Sequence, residues 1–121
     1  MPKVRSSAWT PFFNGAVSNT AVQIKASAAL VPYLRLLAGA TGAFLQFWNL
    51  PSASVTVGTT AATWVVQLSA NQDLTIVNGM LDYAQFGVLD LGGTGLTVAW
   101  TTTAGGSTAP ANAVAVMALY V

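Results

Sequence analysis

The sequence predicts an all-β fold, an antiparallel sandwich, and three observations carry the prediction. Apolar residues recur with period 2 rather than 3.6 in five separate runs. Clusters of Gly, Asn and Pro punctuate the chain every 8 to 12 residues or so. No stretch reads as a helix of useful length. Residues 26–38 are rich in Ala and Leu, but Pro32 interrupts them and the alternation of Tyr33 and Arg35 favours strand.

The elements follow in order. Residues 1–20 mix Ser, Pro, Asn and Gly with Trp9, Phe12 and Phe13 and show no sustained alternation. They have two readings: an edge strand or coil whose aromatics cap the domain's own core, or an extended N-terminal arm that lays Trp9, Phe12 and Phe13 into a neighbouring subunit. Lys3 and Arg5 make that arm basic. Aromatics and Arg dominate the energetics of protein interfaces, so Lys3, Arg5, Trp9, Phe12 and Phe13 are the candidate interface residues. Residues 21–121 form the single sandwich domain.

Within it, Ala21-Val22-Gln23-Ile24-Lys25-Ala26 sets Val22 and Ile24 on one face, Gln23 and Lys25 on the other. Phe44-Leu45-Gln46-Phe47-Trp48-Asn49-Leu50 is an aromatic strand, and Thr63-Trp64-Val65-Val66-Gln67-Leu68 alternates β-branched and aromatic residues. Leu96-Thr97-Val98-Ala99-Trp100-Thr101 repeats the pattern, and residues 113–121 alternate small and large side chains. All five read as half-buried strands. Turns are expected at 39–42, 51–54, 71–73, 78–79, 92–95 and 104–110, where Gly and Asn supply positive φ and Pro pre-sets turn starts.

Charge is scarce. Seven formal charges, four Lys or Arg and three Asp, make up 6% of 121 residues, against 54% hydrophobic. The mean hydropathy is +0.60. A small monomer in water keeps apart from its neighbours largely by charge, so this chain suits a membrane or an assembly. The charges are also segregated: Lys3, Arg5, Lys25 and Arg35 come early, Asp73, Asp82 and Asp90 late. Besides chance, that order fits a basic arm meeting an acidic neighbour, including another subunit.

Neither long uncharged stretch makes a membrane helix, which needs about 20 predominantly apolar residues. The first stretch is 36–72, and the best apolar window about it, residues 34–50, is interrupted by Arg35, Gly39, Thr41, Gly42, Gln46 and Asn49 and closed by Pro51; residues 91–121 are broken by glycines, a threonine run and Pro110. Residues 6–20 lack the apolar core of a signal peptide. An outer-membrane-type barrel is the remaining lipid reading, since its strands also alternate. The assembly reading is the stronger, with no membrane partner expected.

The chemistry of common active sites is missing. There is no His or Cys, so neither the usual general base nor a thiolate nucleophile or metal ligand exists. Asp73, Asp82 and Asp90 are scattered among turn signals rather than paired, and Asp73 is expected to cap a turn. No calcium-loop spacing occurs. Gly92-Gly93-Thr94-Gly95 leads into a strand, without the helix and Lys of a phosphate loop, and reads as a β-turn. Four cations cannot form a nucleic-acid surface. No enzyme activity, cofactor, metal or nucleic acid is expected.

The order of elements carries a family resemblance over residues 22–121. It lies in Ile24-Lys25-Ala26-Ser27, in Phe44 to Asn49 with Pro51 after them, in Gly95-Leu96-Thr97-Val98-Ala99, and in the final Tyr120-Val121. In this order they resemble the small jelly-roll β-sandwich proteins of tailed-phage virions, which include head decoration or cement proteins. The usual Gly after the opening Ser is replaced by Ala28-Ala29 here, and the acidic end of the second motif is Asn49. The resemblance implies a jelly-roll-like sandwich on the capsid exterior, made in the host cytoplasm. It would bridge major capsid protein subunits, as a homodimer or homotrimer. Similar sandwiches also serve as head-fibre or tail modules that recognise a host glycan or protein. Exposed Trp48, Trp64 and Trp100 would serve such recognition; packed in the core, they would not.

Overall fold

Alternating sequence gives alternating burial, and the strands form where the period-2 runs lie. The computed structural model describes residues 10–77 and 89–121. Its strands are β1 (Thr10–Val17), β2 (Val22–Lys25), β3 (Ala29–Val31), β4 (Tyr33–Ala38), β5 (Ala43–Trp48), β6 (Trp64–Leu68), β7 (Asp73–Val77), β8 (Leu89–Gly92), β9 (Leu96–Thr101) and β10 (Val114–Tyr120). One 3₁₀ turn, Ser52–Ser54, follows Pro51.

Pairing is antiparallel throughout the described strands, and it is nested. β1 pairs with β10, β2 with β9, β3 with β8, β4 with β7 and β5 with β6. The chain is thus one long hairpin folded over on itself, its rungs divided between two sheets and a short ribbon. Pairing of β10 with β4 and of β5 with β9 completes two four-stranded sheets. Sheet I runs β1-β10-β4-β7 and sheet II runs β2-β9-β5-β6, with β3-β8 as a separate ribbon. The fold is an antiparallel β-sandwich, as the alternation predicts.

The core lies between the sheets. Sheet I contributes Val17, Leu34, Leu36, Ile76, Val114, Val116 and Ala118; sheet II contributes Ile24, Leu45, Phe47, Leu68, Leu96, Val98 and Trp100. Registers explain the match: Leu45 lies opposite Trp100 and Phe47 opposite Val98, so large side chains meet on one face. The Trp100 indole N–H donates to the Asn112 carbonyl at 2.8 Å, which satisfies the polar atom of a fully buried ring.

Of the two readings of the N-terminal segment the edge strand holds for residues 10–17, and one local expectation, at Asp73, changes. Residues 10–17 form a strand despite Pro11, Asn14 and Gly15, because β1 is an edge strand, where a missing N–H and an irregular register are tolerated. The register shifts between Asn14 and Val17, and Asn14 Oδ1 accepts the Ala16 N–H at 2.9 Å. Asp73 does not cap a turn. Asn71, at φ 58°, supplies the left-handed residue of that turn, and Asp73 opens β7 opposite Leu37. The turn expected at 78–79, and Asp82, lie outside the described residues.

The turn expected at 92–95 has a packing reason as well as a conformational one. Gly93 has φ +68°, and a Cβ there would run into the Asn49 carbonyl, which accepts the Thr94 N–H at 3.0 Å. The turn leads into β9, a strand and not a helix.

Candidate functional site

The two outer faces of the sandwich differ, and the difference locates the candidate site. A half-buried sheet should show polar residues to water on its outer face. Sheet II does not. All six residues of β9 are buried, as are Gln46 and Trp48 on the outer side of β5. The β5–β6 loop (49–63) and the β9–β10 loop (102–113) lie over them, and they touch where Gly58 packs against Ser107.

Hydrogen bonds fasten both loops down. The Trp48 indole N–H donates to the Thr60 carbonyl at 2.9 Å, and the Thr97 hydroxyl to the Leu50 carbonyl at 2.8 Å. Gln46 Nε2 donates to Thr101 Oγ1 at 2.7 Å and to the Gly106 carbonyl at 3.1 Å. Thr101 Oγ1 in turn donates to the Thr103 carbonyl at 2.8 Å. Among the described residues no buried side-chain polar atom lacks a partner. The outer face of the central strands β5 and β9 is therefore an internal layer.

This closure buries Trp48, while the core between the sheets buries Trp100. Trp48 and Trp100 are both 0% exposed. Trp64 is half-buried and stacks on Phe47 with ring centroids 4.7 Å apart. Trp48 and Trp100 form no surface platform.

Among the described residues no such loop covers sheet I, and its outer face is largely apolar. Phe13, Leu30, Leu119 and Val121 are the exposed large hydrophobics among the described residues, and Phe13 is 69% exposed. Alternation and register put all four on this face. Phe13 lies opposite Met117 and Pro11 opposite Leu119, while Phe12 and Ala118 point into the core. Leu30 and Val121 exchange two backbone hydrogen bonds, at 3.2 and 3.0 Å, so they stand side by side. Tyr33, Leu37, Ala115 and Met117 fill the space between, all half-buried.

One ion pair sits in this surface. Arg35 Nε donates to Asp73 Oδ1 at 3.1 Å and Nη2 to Oδ2 at 2.7 Å, a two-pronged contact across the β4–β7 pair. The hydrogen bond with Asp73, reinforced by its charge, raises the pKa of Arg35; the same hydrogen bond lowers that of Asp73. The pair makes this stretch electrically neutral. It also joins an early cation to a late anion within one chain.

The predicted interface residues divide. Phe12 packs on its own core and Phe13 projects outward, as neighbours on a strand must. Lys3, Arg5 and Trp9 lie outside the described residues. Sequence reasoning did not find Leu30, Leu119, Val121 or Tyr33; the alternation in residues 113–121 was the available signal. Among the described residues no three His, Cys, Asp or Glu come together to hold a metal. No helix among them is long and apolar enough to cross a membrane. In comparisons with known proteins, no family model, curated protein or solved structure matches the chain.

Proposed function

We propose that this chain is a non-enzymatic virion structural protein of the capsid cement or decoration type. It binds the outside of a head lattice and stabilises contacts between major capsid protein subunits. The observation that carries the contact role is the asymmetry of the sandwich: the central strands of one outer face are covered by their own loops, while the other face, among the described residues, is uncovered, apolar and neutral. An exposed apolar face on a chain with so few charges is a place for another protein. The virion setting draws on the nested pairing, β1 with β10 through β5 with β6, which supports a jelly-roll reading. That architecture recurs in viral capsid proteins. Many copies around a shell would multiply weak contacts through avidity.

The alternative, a head-fibre or tail module that recognises a host glycan or protein, calls for exposed Trp beside polar partners. Trp48 and Trp100 do not supply it. The test compares heads with and without the chain under heat and osmotic shock. Heads carrying it should survive longer; equal survival, or its absence from purified heads, defeats the proposal.

A further inference from the structure

We propose that the outer face of sheet I joins two copies of this chain face to face, about a twofold axis running along β10. The inference rests on the reading above that this face is a contact surface, and it names the occupant. The outward residues fall into rows that are balanced about β10. In one row Met117 stands between Phe13 on β1 and Arg35 on β4; in the next, Leu119 stands between Pro11 and Tyr33.

A twofold axis in the interface plane exchanges left and right. Phe13 then meets Arg35 of the second copy, and Pro11 meets its Tyr33. An aromatic ring over a guanidinium is a favourable contact. Arg35 keeps its in-plane grip on Asp73 while the flat face of the group receives the ring. The residues on the axis, Ala115, Met117 and Leu119, are uncharged and can face their own copies. An axis along β4 would instead set Arg35 against Arg35. The charge pattern thus favours a second copy and one axis, whereas a strongly acidic or basic partner would gain little from a neutral face.

The area agrees with a reversible pair. An axis along β10 overlaps β1, β10 and β4; three strands about 4.8 Å apart, with the seven residues of β10 rising about 3.4 Å each, give a face of about 340 Å². Two such faces bury about 700 Å², below the range of about 1,200–2,000 Å² for stable complexes, the size of a weak, reversible contact.

Sedimentation equilibrium on the full chain across the micromolar range tests the proposal. It should give a monomer–dimer equilibrium. Phe13→Ser with Leu119→Lys should raise the dissociation constant about tenfold or more, with the far-UV spectrum unchanged. A monomer throughout, or a dimer indifferent to both substitutions, overturns it. Because the chain has no cysteine, Leu119→Cys can be linked to its own copy by a short bis-maleimide. Ala104→Cys, in the β9–β10 loop, should not link; linkage at 104 and not at 119 also overturns it. A dimer of this kind that fails to protect heads would defeat the cement proposal alone. A monomer that protects them would defeat only the dimer.

Discussion

Trp48→Ala should cost far more than its place on an outer sheet face would suggest. On a half-solvated sheet, an outward aromatic truncation is nearly neutral, within about 0.5 kcal/mol. Trp48 is 0% exposed, held between sheet II and the β5–β6 loop, with its indole N–H on the Thr60 carbonyl. Removing a buried Trp side chain costs about 3–5 kcal/mol. That is a large part of the about 5–15 kcal/mol that stabilises a domain of this size. Trp48→Phe keeps most of the packing and loses the donor, so about 1–2 kcal/mol is expected. Urea unfolding followed by far-UV circular dichroism avoids the changed fluorescence and yields both numbers. Amide exchange should also quicken across residues 49–63 in Trp48→Ala while β4 and β10 stay protected. A Trp48→Ala protein within about 1 kcal/mol of wild type would refute the sealed second face.

Two further outcomes follow from local geometry. Gly93→Ala should lower stability by about 1–3 kcal/mol, read by the same unfolding curve, because it adds left-handed strain and a clash with the Asn49 carbonyl. The Asp73 carboxyl has a pKa below its unfolded value of about 3.9, so its pairing with Arg35 stabilises the fold above that pH. As pH falls through the lowered folded value that contribution disappears. Melting temperatures in acid should therefore fall slightly more for wild type than for Asp73→Asn, and parallel curves would exclude the linkage. The effect is small because the pair is solvent-exposed.

Much of the sandwich was legible in the sequence where one face is apolar and the other is not. Val22 and Ile24, the run through Phe44 and Phe47, residues 63–68, 96–101 and 113–121 all became strands. What alternation cannot say is what covers the other face. Gln46, Thr97 and Thr101 look like water-facing residues, yet they bond the carbonyls of Gly106, Leu50 and Thr103. Those partners lie on loops or elements whose return over the sheet is set by the whole topology. Edge strands hide for the opposite reason: β1 tolerates Pro11 and Gly15 because it pairs on one side only, so its pattern is loose. The bare face was invisible until the register was known. Phe13, Met117 and Arg35 are far apart in sequence and lie in one row only because β10 pairs with both β1 and β4.

The central claim is that the outer face of sheet I is the contact surface and that of sheet II is not. Hydroxyl-radical footprinting of the chain, free at a dilution where it is monomeric and on the particle, tests it most directly because it reads side chains. Phe13, Tyr33, Met117 and Leu119 should lose reactivity on the particle, while Trp48 stays unreactive in both states and the β9–β10 loop keeps its exposure. Protection of residues 49–63 and 102–113, with Phe13 and Leu119 unchanged, would contradict it.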